Sequence, residues 1–294
     1  MVTHAEPSSR TPEQRTSHSI VVGVDSRGRS VSALVWAVDE AERTHRTLTL
    51  LSARSAGDTT AEVAGEHDLG ALSRRLTLTH VRHQEVVAEP VDALLQAARD
   101  TDLLVVSCRA TRPAQRLLLG STSRTLACWS PVPLVVVPEA WMQPSLASAP
   151  LVVGIRPSGD DREVLDFAFA RAAVLRVPLV VVCGGDEPED ALHRRLEPWR
   201  AAHPEVEVVA RSVADRPDRA LVETSRFAQM VVVGRHHSTS PGGVLGSTAR
   251  RVLNGANRPV AVVPAGTREA LVRDLDLRAA SAGLPWAPTF EGSG

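Results

Sequence analysis

The chain is written twice, and this constrains its fold more than any other feature. Ile20-Val21-Val22-Gly23-Val24 and Leu151-Val152-Val153-Gly154-Ile155 match at an offset of 131 residues. Leu103-Leu104-Val105-Val106 matches Met230-Val231-Val232-Val233 at an offset of 127, and Gly120-Ser121-Thr122 matches Gly246-Ser247-Thr248 at 126. The stretches Pro133–Pro138 and Pro259–Pro264 share that last offset. Blocks in one order with slowly drifting offsets mean a duplicated unit with small insertions. A period this long is no solenoid, so each copy must own a core. A length of 294 residues then divides into two domains of ordinary size. They are expected at 18–138 and 151–265, joined by a linker over 139–150. A disordered tail is expected over 1–17, and another tail over 266–294 with a short helix near 270–280.

Within each copy, short β-branched runs alternate with amphipathic stretches. In the second copy strands are expected near 151–155, 179–183, 206–211, 229–233 and 260–263, and helices near 160–176, 188–202, 216–227 and 247–255. Asp160 or Asp161 can cap the first helix, whose Val164, Leu165, Ala168 and Ala172 share one face. Leu179–Cys183 is apolar throughout, the pattern of a parallel strand covered on both faces. The first copy reads likewise, less cleanly between 54 and 80. The expected fold class is α/β: two doubly wound open parallel sheets of five strands, each with helices on both faces. The closing strands 134–137 and 260–263 are apolar edges bracketed by proline, and such edges invite pairing. They are expected to meet, making the chain an intrachain pseudo-dimer.

Composition enters mainly through absences. The chain contains no tyrosine, and every one of its 33 basic residues is arginine. A phosphate loop built on lysine is therefore excluded, as are Schiff-base chemistry and a lysine or tyrosine general acid. The formal net charge of -1 provides no chain-wide field for nucleic acid or an anionic membrane. No apolar run reaches the ~20 residues that span a bilayer, and Met1–Ser19 lacks the apolar stretch of a secretory signal. Cys108, Cys128 and Cys183 form no CxxC pair. A cytoplasmic protein is expected, with neither nucleic acid nor membrane as partner.

In an open α/β sheet, ligands bind beyond the carboxyl ends of the strands, where the strand order reverses. Three features converge there: Val24-Asp25 or Ile155-Arg156 ending strand one, the loop after strand four, and the triplets Gly120-Ser121-Thr122 and Gly246-Ser247-Thr248 opening the next helix. A helix N-terminus offers unpaired N–H groups and about half a positive charge, enough to hold phosphate without lysine. The competing explanation is structural: Ser or Thr caps the helix and Gly permits the turn.

On these residues the chain resembles the universal stress protein family. That family opens on a strand of the type IVVGVD, as in Ile20–Asp25, and carries a Gly-x2-Gly-x9-Gly-(Ser/Thr) loop after strand four, as in Gly234 leading to Gly246-Ser247. The resemblance implies a fold of this class, often dimeric, in which the aspartate (here Asp25) holds adenosine and the glycine loop wraps the phosphates of ATP, with or without Mg. The site residues implied are Asp25, Gly120, Ser121, Thr122, Gly234, Gly246, Ser247 and Thr248. Both copies depart from the pattern. The first has Ser107 and Ala110 at the loop's first two glycine positions; the second has His237 at the middle one, a loop one residue shorter, and Arg156 where the aspartate belongs. Gly242-Gly243 and Arg156 are possible compensations in the second copy, and at most one tight site per chain is expected, the second copy being favoured.

Other candidates carry less. His236-His237 lacks acidic or thiol partners at metal-ligand spacing, so no metal site is assigned. His67-Asp68 has no nucleophile to serve. Cys108 is a candidate oxidant sensor if Arg109 lowers its pKa. No catalytic residue is assigned. The expectation is a non-enzymatic protein of the stress response that binds or senses adenine nucleotide and acts on an unidentified protein partner, with further homodimerisation left open. The alternatives are a pseudo-domain pair without nucleotide, serving a structural or interaction role, and a slow ATP hydrolase.

Overall fold

The computed structural model describes residues 19–25, 30–55, 81–108, 120–141, 148–157, 159–235 and 245–281. The first copy runs β1 (Ser19–Val24), α1 (Val31–Thr44), β2 (Thr47–Arg54), β3 (Val81–Val87), α2 (Pro90–Ala97), β4 (Leu103–Cys108), α3 (Ser121–Trp129) and β5 (Leu134–Pro138). The second runs β6 (Leu151–Ile155), α4 (Arg162–Leu175), β7 (Leu179–Gly184), α5 (Glu189–Ala202), β8 (Val208–Val213), α6 (Pro217–Ser225), β9 (Met230–Arg235), α7 (Ser247–Gly255) and β10 (Val260–Pro264). A last helix, α8 (Arg268–Ser281), follows. The tail over 1–17 and His67-Asp68 lie outside the described residues, as do Arg109, Ala110, His236, His237 and Gly242-Gly243.

Equivalent residues shape equivalent elements. Pro90 and Pro217 each open a helix at its first position, where a missing N–H costs nothing. α1 and α4 each end on a left-handed residue, His45 at φ 52 and Arg176 at φ 55. Neither is glycine, so both turns are held against a conformational preference of about 1–2 kcal/mol. Gly23 and Gly154 lie mid-strand for a packing reason. A Cβ on Gly23 would stand 3.1 Å from Leu94 Cδ2, and one on Gly154 would stand 2.6 Å from Leu221 Cδ1. Gly23 lets α2, and Gly154 lets α6, lie close against the sheet.

The strands form one ten-stranded sheet in the order β3-β2-β1-β4-β5-β10-β9-β6-β7-β8. Every neighbouring pair is parallel except β5 and β10, which run antiparallel with Val135 opposite Ala261. The two apolar edges meet as expected. The pseudo-dimer is therefore a continuous sheet with an approximate two-fold axis at its centre. Side chains alternate to opposite faces: Ile20, Val22 and Leu165 belong to one buried cluster, Val21, Leu126 and Leu221 to the other. Helices cover both clusters, which is why the central strands are apolar on both sides.

Three details differ from the sequence reading. β8 starts at Val208 instead of 206, because Val206 is drawn into a turn by its N–H bond to His203 O (3.0 Å). Asp161 occupies the N-cap position of α4, yet its carboxylate makes no cap bond and turns back to Arg156 N at 2.9 Å. The short helix expected near 270–280 forms but is longer and packed rather than part of a tail: α8 buries Leu271, Leu275 and Ala279. Its Arg268 donates to the carbonyls of Arg99 (2.8 Å) and Thr101 (2.6 Å), fastening α8 to the first half.

Candidate functional site

The strand order reverses between β1 and β4 in the first half, and between β6 and β9 in the second. Helices leave these strands toward opposite faces, so a crevice opens at their carboxyl ends. At the first crevice Asp25 directly follows β1. Its N–H donates to Ser30 Oγ at 3.0 Å, and that hydroxyl donates to Asp25 Oδ1 at 3.3 Å. The carboxylate is thus held at the strand's end, partly exposed. β4 ends at Ser107-Cys108, and Ser123 Oγ donates to Ser107 O at 3.4 Å, drawing the start of α3 over the same edge. The topology brings Asp25, Ser107 and Gly120-Ser121-Thr122 to one sheet edge.

The N-termini of α3 and α7 are alike in what they lack. Their N-cap residues are Gly120 and Gly246, no side chain caps either helix, and neither has an acidic residue in its first turn. Ser121 and Ser247 are exposed and Thr122 and Thr248 half-buried, so the hydroxyls do not act as caps. The glycines are not required by the backbone either. Gly120 has φ -59 and Gly246 φ -53, values any residue adopts, and a Cβ at either would meet nothing within 4 Å among the described residues. The turn explanation therefore fails at both positions.

At the second crevice the edge is closed by the chain itself. Arg195, from α5, donates through Nη1 to Arg156 O (2.6 Å) and Glu187 Oε2 (3.1 Å). Through Nη2 it donates to Gly159 O and Asp161 Oδ2, both at 2.8 Å. Arg156 adds its own N–H and Nε to the Asp161 carboxylate at 2.9 and 3.4 Å. Cys183 Sγ donates to Glu187 Oε2 at 3.1 Å, and burial with this bond pushes the thiol up to about 12. Arg156, at the position of Asp25, is bound inward and turned to its own loop. Gly234 is buried in β9, and beside it Arg235 reaches across the centre to donate to Ser130 O at 2.6 Å. Burial lowers the Arg235 pKa to about 10, with Cys128 and Asp274 pulling it back upward.

Cys108 is not poised for oxidation. It ends a buried strand, and burial pushes its thiol up; the Gly120 backbone amide pulls it partway down and Glu139 raises it again. A protonated, buried thiol is a poor nucleophile. Among the described residues no group of three or more His, Cys, Asp or Glu could hold a metal ion. No helix among them is long and apolar enough to cross a membrane.

Sequence reasoning missed Arg195, Glu187 and Arg235. Arg195 carries no motif, but the pairing of Ser30 with Asp161 at the 131 offset was visible: a hydroxyl beside Asp25 becomes a carboxylate beside Arg156.

Compared with known proteins, residues 16–138 and 184–264 match the model of the universal stress protein family. The chain belongs to that family. The second matched segment begins only after β6 and α4, so the Arg156–Asp161 edge lies outside it. A universal stress protein of Mycobacterium tuberculosis is 30% identical over 286 residues, covering 84% of this chain and 96% of the relative. One of Mycolicibacterium smegmatis is 28% identical over 294 residues, covering 85% and 98%. Among solved structures, a universal stress protein from Archaeoglobus fulgidus superposes with a TM-score of 0.69 at 17% identity, covering 85% of this chain and all of that one. The tandem arrangement is thus shared over nearly the whole of its mycobacterial relatives.

Proposed function

We propose that this universal stress protein binds adenine nucleotide without catalysing its turnover, and signals its bound state to a protein partner. The observation that carries the reading is the pair of glycines Gly120 and Gly246. The fold needs neither, so both are kept for something that must come close to the backbone at an uncapped helix N-terminus. A phosphate suits that place, because N–H groups and the helix dipole replace the missing lysine. Asp25, held by Ser30, is the acceptor for the ribose hydroxyls, and ATP, alone or with Mg, is the ligand of choice. Gly234 and Ser247-Thr248 offer the matching phosphate groups in the second half, and Ser121-Thr122 those in the first. That none of the three cysteines forms a disulfide accords with a reducing cytoplasm.

The geometry favours the first half for the nucleoside, reversing the preference drawn from loop glycines alone. Arg195 fills the edge at Arg156, while at the first edge Ser30 holds the Asp25 carboxylate at the strand's end. A second half that has ceased to bind is the reading this network supports. Native mass spectrometry of gently purified protein, followed by calorimetric titration with ATP, tests the proposal. One tight site per chain is expected, lost in Asp25→Ala and strengthened by Ser107→Gly with Ala110→Gly, which restores the family loop. Absence of binding at millimolar ATP by the folded protein overturns the reading.

A further inference from the structure

A two-fold axis sets the residues lying on it against their own copies. Here the axis is located twice, independently. In the sheet it passes between Val135 and Ala261, which are equivalent at the offset of 126 that aligns β5 with β10. On one face of the sheet the offset of 131 carries α1 onto α4 from end to end, including the left-handed residues that close them. It carries Glu40 onto Arg171, and these two residues touch, Arg171 Nη1 on Glu40 Oε2. Both are buried, at 3% and 8% exposure. The Arg171 guanidinium also lies over the Trp36 ring, 5.3 Å from its centroid.

In a dimer of identical halves this position would hold two like charges, or two neutral side chains. We propose that the Glu40–Arg171 pair is a pairing code: it makes each half accept the other half of the chain and reject a second copy of itself. Pairing two first halves would bury Glu40 against Glu40, and pairing two second halves would bury Arg171 against Arg171. The central strand pairing itself offers little discrimination, because β5 and β10 present nearly the same apolar faces, Leu134, Val135 and Val136 against Val260, Ala261 and Val262. Burying an ion pair adds little net stability compared with an apolar pair, but it penalises wrong partners strongly. The surface around Glu40 is therefore an interaction surface whose partner is fixed by charge, and the code protects a chain whose two halves could otherwise assemble into open chains of molecules.

The test is charge complementation in the full-length protein. Glu40→Arg gives a chain whose halves both carry arginine at the axis; Arg171→Glu gives one whose halves both carry glutamate. Alone, neither variant can form a matched pair, within a chain or between chains. Mixed, unfolded and refolded together, the two should yield a 1:1 two-chain complex in which every axis pair is matched. The twelve residues between Pro138 and Leu151 extend to about 40 Å, enough for halves to exchange partners. Native mass spectrometry with differently tagged chains should show the mixed complex at least about tenfold above any two-chain species of either variant alone, because like charges across an interface are strongly penalised. The double variant E40R/R171E should return to one-chain protein, as wild type does. A mixture giving no more complex than the separate variants overturns the proposal. So do single variants that refold as one-chain protein with the wild-type urea midpoint, and so does wild type that exchanges chains as readily as the mixture.

Discussion

Replacing Arg195 by alanine removes the group that closes the second half's carboxyl edge. Four hydrogen bonds vanish at once, two to backbone carbonyls and two to the carboxylates of Asp161 and Glu187. The Arg195 side chain is 18% exposed and the Asp161 side chain not at all. Breaking a buried pair by deleting one partner costs about 3–5 kcal/mol, most of it from the carboxylate left behind. Two features reduce that here. Asp161 keeps the N–H and Nε of Arg156, and Glu187 keeps the Cys183 thiol. The expected loss is then about 2–3 kcal/mol, with Arg195→Lys losing about half as much because a point charge cannot reach both carboxylates and both carbonyls. Urea unfolding followed by far-ultraviolet circular dichroism and tryptophan fluorescence measures it. Arg43→Ala is the control, since its i,i+4 pair with Asp39 is largely solvated and worth at most about 0.5 kcal/mol. Hydrogen exchange over 156–161 should accelerate in Arg195→Ala and stay slow in the control. If Arg195→Ala lies within about 0.5 kcal/mol of wild type, the network does not hold this edge closed and the reasoning is refuted.

Gly120→Ala and Gly246→Ala should each leave stability within about 1 kcal/mol of wild type, since both backbones are ordinary and no described residue crowds either site, while ATP affinity measured by calorimetry falls for the half that binds. Gly154→Ala should instead destabilise by about 1–3 kcal/mol in urea unfolding, because its Cβ would stand 2.6 Å from Leu221 Cδ1; Gly23→Ala, at 3.1 Å from Leu94 Cδ2, should cost less. Cys183 holds its proton up to about 12 in the folded state against a reference of 9.0. Its contribution is therefore complete below pH 9 and lost as pH rises through 12, and Cys183→Ala should show a weaker alkaline loss of stability between those values in unfolding curves. In a thiol-labelling time course at pH 8, Cys128, the one cysteine not buried, should react first, and Cys108 only on unfolding.

Period and apolar runs made the duplication, the sheet and the central strand pairing legible, because a parallel strand covered on both faces leaves an unbroken apolar signature. Gly23 and Gly154 were readable as a motif, but their partners Leu94 and Leu221 lie about seventy residues away in each copy and no local signal links them. Helix α8 showed only as an ambiguous stretch, since its anchorage rests on Arg268 meeting carbonyls at the far end of the first half. The candidate site was half legible. Asp25 and the glycine triplets stand where the motif sets them, but whether Ser121 or Ser247 caps its helix depends on rotamers that no pattern encodes. Arg195 was invisible for a different reason. A lone arginine on an exposed-looking helix acquires meaning only when the fold brings four acceptors around it.

The two edges are alternative answers to one physical problem. The carboxyl end of a parallel strand leaves backbone carbonyls and loop amides that need partners, and a ligand can supply them only while it is bound. The second half is satisfied from within by substitution at equivalent places: Asp25 becomes Arg156, Ser30 becomes Asp161, and Arg195 bridges the new carboxylate to the Arg156 and Gly159 carbonyls. The first half keeps a small hydroxyl and an acceptor at the same places, Ser30 and Asp25. The same divergence placed Glu40 against Arg171 at the axis. Duplication therefore did more than double a domain: with separate sequences for its halves, the chain could change one edge without the other and make its central interface complementary instead of self-complementary.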